Sequence, residues 1–173
     1  MNIVLLGYRG CGKTSIGKQL AIELWKDFVD LDDVVRKRFN NATIAEIWAE
    51  HGEAGFRQAE AEAAALLLAK DSQVIALGGG TLTTDAGKAA VVSAEHATRI
   101  YLSCSTDVLA KRIAGDSTTA TQRPSLTGNT DPAAEVEQVL AKRDPVYREV
   151  ADIVFDVTYC SIDEAVRHLI TKL

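Results

Sequence analysis

Cysteine is scarce in this sequence of 173 residues: Cys11, Cys104 and Cys160 are odd in number and widely scattered. That excludes a disulfide framework and a cysteine-built metal site, and it suits a reducing compartment, so a cytoplasmic protein is expected. The three histidines, His51, His96 and His168, fall at no ligand spacing and read as surface or packing residues. Long apolar runs are missing too. The longest, Ala63 to Ala69, is far below the roughly 18 residues of a membrane span, and no basic region precedes the apolar N-terminus. Neither a secreted precursor nor a membrane protein is expected. Basic residues are outnumbered, 19 Lys and Arg against 24 Asp and Glu, for a formal charge of −5. Such a balance argues against a phosphate-backbone binder, and no nucleic-acid partner is expected. Any anionic ligand must be held by a few local cations.

What is present is the make-up of an ordinary globule, 47% hydrophobic and 25% charged, at a length that suits one domain over 1–173. Asn2 to Leu6 is a β-branched apolar run, followed after a glycine-rich loop by Ile16, Leu20 and Leu24 at helical spacing. Further short strands are predicted at Phe28 to Leu31, Val74 to Leu77, Arg99 to Leu102 and Ile153 to Val157. Helices fall between them. Thr43 and Glu46 stand at capping-box spacing, and Asp131-Pro132 reads as a cap with proline at the first helical position. Strands alternating with helices predict an α/β fold, a parallel sheet covered on both faces with ligands at the carboxyl ends of its strands. One stretch does not fit. Gly115 to Thr130, GDSTTATQRPSLTGNT, has too little apolar content to pack and exceeds most connections, so it reads as decoration or a lid.

Gly7 to Thr14, GYRGCGKT, matches the phosphate-loop pattern G-x-x-x-x-G-K-[ST] in full. It follows the first strand and opens the first amphipathic helix, where backbone N–H groups and the helix terminus turn toward phosphate oxygens. Lys13 is placed to reach the β- and γ-phosphates, and the Thr14 hydroxyl to bind Mg²⁺. The motif alone does not separate switches, motors and kinases. Neither N-K-x-D nor D-x-x-G occurs, which argues against a GTPase. Val74 to Leu77 runs into Gly78-Gly79-Gly80 without the strand-end aspartate of large ATPases, so a magnesium carboxylate must come from elsewhere.

Asp30 and Asp32 close the second strand, where alternation aims both to one side; the alternatives are turn and N-cap residues, as for Asp33. One could hold Mg²⁺ while the other orients an attacking hydroxyl and accepts its proton. Val136, Val139 and Leu140 make a helical stripe that Arg143 continues, so its guanidinium snorkels, finds an acid, or faces a cavity that an anion fills. Pro145 is expected to end that helix near Asp144. Arg57 and Glu60, three apart, read as a surface ion pair of about 0.3 kcal/mol. The three glycines from Gly78 admit either a ligand or a bulge, and Arg123, before Pro124, is either a soluble loop residue or a lid arginine for the transferring group.

Taken in order, the phosphate loop, DLD from Asp30, FRQAE from Phe56, GGG from Gly78, RP at Arg123 and RDPVY from Arg143 resemble shikimate kinase over nearly the whole chain. The resemblance implies a P-loop three-layer sandwich with a five-stranded parallel sheet in order 2-3-1-4-5, an acceptor region at about 31–62 and a mobile lid at about 113–128. It implies transfer of the ATP γ-phosphoryl group to the 3-hydroxyl of shikimate, with Mg²⁺. Gly10, Cys11, Gly12, Lys13, Thr14 and Ser15 would serve the nucleotide, with Asp30 also near the metal and Asp32 on the reacting hydroxyl. Arg57 and Arg143 would grip the shikimate carboxylate beside the Gly79 and Gly80 backbone, Glu60 would orient Arg57, Arg112 would lie against adenine, and Arg123 would come down with the lid. Ser125 stands where the family's lid motif usually has leucine, and the lid here is longer. A monomer is expected.

Overall fold

A computed structural model describes residues 1–116 and 131–173. Five parallel strands, β1 (Asn2–Leu6), β2 (Asp27–Asp30), β3 (Gln73–Ala76), β4 (Ala97–Ser103) and β5 (Ile153–Asp156), form one sheet in the order β2-β3-β1-β4-β5. That is the order the resemblance implied. Strand β1 lies at its centre, with Ile3 opposite Val74 of β3 and Thr98 of β4. Ile3 and Leu5 pack into one hydrophobic cluster with Ile16, Leu20 and Leu169, whereas Val4 and Leu6 pack into another with Leu31, Phe56 and Ala64. Alternate side chains of the central strand thus supply two cores, one on each face, which is why the strand reads as a continuous apolar run.

Helices α1 (Lys13–Glu23), α2 (Leu31–Arg38), α3 (Ile44–Leu68), α4 (Asp85–Val92), α5 (Thr106–Ala114), α6 (Pro132–Val150) and α7 (Ile162–Ile170) cover the sheet. The Thr43/Glu46 capping box starts α3, and the Asp131 carboxylate caps α6 ahead of Pro132. Helix α3 is kinked at Gly52, where φ is 71° and ψ is 169°, and Trp48 and Phe56, one from each half, stand with ring centroids 6.1 Å apart.

Two expectations need correction. Strand β2 ends at Asp30, and Leu31 begins α2, because the Asp30 carboxylate accepts a bond from the Asp32 N–H and caps the helix. Asp32 therefore belongs to a helical first turn and not to the strand. Helix α6 also runs through Pro145 to Val150. Proline removes one backbone donor, yet Tyr147 and Val150 beyond it are buried in the core, and that packing keeps the last turns helical. Among the described residues no helix is long and apolar enough to cross a membrane.

Candidate active site

Parallel strands bring their carboxyl ends to one edge of the sheet, and the loops leaving β1, β2 and β3 meet there. The loop after β1 holds positive φ at Gly7, Gly10 and Gly12, and Gly12 ends it as the left-handed N-cap of α1. Lys13 Nζ donates to the carbonyls of Gly7 at 2.8 Å and Tyr8 at 3.0 Å, lying back over the loop. A cleft above it is lined by Gly10, Gly12, Lys13, Thr14 and Ser15, with Arg112 at its far side. The Arg112 guanidinium reaches the Gly10 carbonyl at 3.4 Å. Cys11 does not line this cleft: it is buried, and its N–H donates to Tyr8 O.

Thr14 Oγ1 donates to Asp30 Oδ2 at 2.9 Å. Burial holds the Asp30 carboxyl above the usual carboxylate range, and the neighbouring charge of Asp32 adds to it. Asp32 is only 9% exposed. A hydroxyl and a carboxylate side by side, next to a second acid, are the hard oxygen donors that suit Mg²⁺, which takes its remaining ligands from water and phosphate. Among the described residues there is no cluster of three or more His, Cys, Asp or Glu that could hold a metal.

A second cleft lies beside the first, with Trp48, Phe56, Arg57, Glu60 and Arg143 on its walls. The Arg57–Glu60 pair is not on the surface. Arg57 is 8% and Glu60 1% exposed, and Arg57 Nη1 donates to Glu60 Oε2 at 2.5 Å, with Glu53 flanking the guanidinium at 3.3 Å. The plain reading of an exposed pair fails because Gly78 and Gly80 of the triple-glycine loop lie directly against it. The Arg57 guanidinium also lies over the Trp48 ring, 5.6 Å from its centroid. A Cβ on Gly78 would collide with Glu60 Oε1 and one on Gly80 with the Arg57 guanidinium, so only glycine lets this backbone approach the pair. Arg143 comes from the middle of α6, and its Nη1 donates to Gly79 O at 2.9 Å, beside a 2.5 Å bond from the Tyr147 hydroxyl.

Arg9, Asp32, Gly78 and Gly79 line both clefts, so the two share a wall. The structure brings together Lys13, Thr14, Asp30, Asp32, Arg57, Gly79, Gly80, Arg112 and Arg143 around this junction. Arg123 and the rest of the proposed lid from 117 to 128 lie outside the described residues.

Sequence reasoning passed over Arg9 and Glu135. Arg9 stands at a variable position of the phosphate loop, and its guanidinium pairs with Glu135 in the first turns of α6. The partners are 126 residues apart, so no local pattern announces them. Both side chains are nearly buried. Glu135→Ala should cost about 3 kcal/mol of stability, since a desolvated guanidinium loses its carboxylate. The urea midpoint measures this, and a midpoint equal to that of the parent would mean the pair contributes nothing.

A phosphate loop facing, across a shared wall, a cleft with cations and a buried aspartate defines a P-loop phosphotransferase that acts on a small anionic acceptor. Comparison with known proteins narrows the class. The profile of the family described as shikimate kinase matches residues 9–173. A shikimate kinase from Rhodopirellula baltica is 40% identical over 163 residues, 94% of this chain and 85% of that protein. The solved shikimate kinase of Acinetobacter baumannii in complex with shikimate superposes with a TM-score of 0.89 at 28% identity, covering 99% of this chain and 91% of that one. The enzyme from Bacteroides thetaiotaomicron superposes at 0.84, with 31% identity and 100% and 99% coverage. This chain belongs to the shikimate kinase family, whose members are ATP-dependent kinases that phosphorylate shikimate.

Proposed function

We propose that this chain transfers the γ-phosphoryl group of ATP to the 3-hydroxyl of shikimate, with the residues at the shared wall dividing the work. The carrying observation is that Asp32 and Gly79 border both clefts, so an acceptor seated against Arg57 and Arg143 presents a hydroxyl to the end of a triphosphate. Arg57 and Arg143 grip the carboxylate, and the Gly79 and Gly80 backbone lies along the ring. Asp32 orients the attacking hydroxyl and takes its proton as oxygen bonds to the γ-phosphorus and the bond to the bridging β–γ oxygen breaks, releasing ADP. Lys13 swings from the Gly7 and Tyr8 carbonyls to the β- and γ-phosphates, while the amides of Gly10, Gly12, Lys13, Thr14 and Ser15 hold the rest.

Thr14 and Asp30 would hold Mg²⁺, which supplies charge neutralisation to the phosphates when bound. Arg112 lies where it can flank the base, and Arg123 keeps the lid role that family resemblance gives it. The same reading has a cytoplasmic monomer with no nucleic-acid or membrane partner. The test is coupled ADP release with Mg-ATP and shikimate, gluconate, AMP, CMP or no acceptor. Release that depends on shikimate alone is expected. Equal release without an acceptor would reduce the protein to an ATPase or nucleotide-binding module, and preference for a nucleotide acceptor would move the anion pocket from carboxylate to phosphate.

A further inference from the structure

Both oxygens of the buried Glu60 carboxylate are engaged, and by different elements. Oε2 accepts from Arg57 Nη1 at 2.5 Å on the same helix, and Oε1 accepts from Thr81 Oγ1 at 2.8 Å. Thr81 is 1% exposed and opens the short 3₁₀ turn, Thr81–Thr83, that follows the triple glycine. Its hydroxyl has one hydrogen and two acceptors in reach, Glu60 Oε1 and the Gly78 carbonyl at 3.0 Å. The charged acceptor is both closer and the stronger partner. Thr83, two residues on, offers a comparison: its hydroxyl donates at 2.7 Å to the Gly80 carbonyl, a bond that only stabilises the turn. A threonine serving the turn alone would do the same.

We propose that Thr81 is a positioning residue for the phosphoryl acceptor: its hydroxyl fixes the Glu60 carboxylate, and Glu60 in turn holds Arg57 in the orientation that receives the acceptor's carboxylate. The Gly78 and Gly80 backbone blocks this pair on one side, leaving the hydroxyl as the group that sets the rotation of Glu60. The inference rests on the reading of Arg57 as a carboxylate-binding group.

The local charges give the inference a signature. Burial pushes the Glu60 carboxyl above the usual range; Arg57 opposes that most strongly, Asp32 from α2 adds to it, and the Thr81 bond lowers it. Glu53 flanks Arg57 on the same helix, and Arg9 and Arg143 face the pair across the cleft. Losing the hydroxyl therefore raises the Glu60 pKa further, and the acid limb of kcat/KM for shikimate moves to higher pH.

Steady-state kinetics of Thr81→Val, Thr81→Ser and Thr83→Val test this, with Thr81→Val repeated in a Glu60→Ala background. Thr81→Val should raise KM for shikimate roughly tenfold, the usual worth of one hydrogen bond to a buried charge, with kcat and KM for ATP within about twofold. Thr81→Ser restores the parent value, Thr83→Val leaves it alone, and Thr81→Val adds nothing once Glu60 is alanine and the acceptor of its bond is gone. An unchanged KM in Thr81→Val, a rise that serine does not rescue, or an equal rise in the Glu60→Ala background would each overturn the proposal. Should the valine methyl prevent folding, Thr81→Ala removes the same hydroxyl without added bulk. A parent enzyme with no shikimate-dependent ADP release defeats the functional reading itself; an active parent that is indifferent to Thr81→Val defeats only this inference.

Discussion

Asp32→Asn is expected to lower kcat on the order of 100-fold or more, while KM for ATP stays within about threefold. Asparagine keeps the shape of the side chain but cannot take the proton of the attacking hydroxyl. The backbone of α2 is indifferent to the change, because the cap depends on the Asp32 N–H and the Asp30 carboxylate. Electrostatics point the same way. The Asp32 charge helps to push up the carboxyls of Asp30 and Glu60, in each case behind burial as the larger cause. A carboxyl whose pKa is raised by folding loses stability as pH rises through the folded value, so removing a like charge beside Asp30 and Glu60 relieves part of that loss at neutral pH. The main defect of the variant should thus lie in turnover. Thermal melting beside kinetics decides it. Full turnover would remove Asp32 as the base, and a lower melting point with both KM values raised together would mark a folding defect.

The difference between what the sequence discloses and what it conceals follows the range of each interaction. The phosphate loop, the Thr43 capping box and the strand order depend on local spacing and on a shared architecture, and they were legible. Asp32 was placed correctly beside the phosphate loop for a reason that proved wrong. Strand alternation was expected to aim it, whereas the cap at Asp30 starts a helix one residue earlier and the helical turn does so. The burial of Arg57 and Glu60 could not be read from their spacing, since three residues apart on a helix is equally the pattern of an exposed pair. Their environment is set by the glycine loop after β3, which comes from another element and which no local pattern reaches. Arg9 with Glu135 and Glu60 with Thr81 are the same case, buried polar pairs whose partners come from different elements. Pro145 shows the converse error, a local rule overridden by the packing of Tyr147 and Val150.

The second large effect is expected at Arg143. The two arginines assigned to the acceptor carboxylate differ in how their charge is met. Arg57 already has the buried carboxylate of Glu60 and the flanking Glu53. Arg143 donates to the neutral Gly79 carbonyl, and among the described residues no carboxylate lies within ion-pair range of it. An anionic acceptor therefore gains most from Arg143, whose charge it completes, and Arg143→Ala should raise KM for shikimate on the order of 100-fold, about 3 kcal/mol. The loop itself should hold, because the Tyr147 hydroxyl still donates to Gly79 O at 2.5 Å and helix α6 loses no packing residue. KM for ATP should accordingly change by less than about threefold, since binding is lost at the acceptor side alone. Arg143→Lys keeps the charge but not the planar fork, so it recovers only part of the affinity. A charge-neutral acceptor separates this from a general loosening of the cleft. With the methyl ester of shikimate the parent enzyme should lose most of its advantage over Arg143→Ala, because the group that the guanidinium recognises is gone. If the two enzymes differ as much on the ester as on the free acid, Arg143 supports the cleft and does not read the carboxylate.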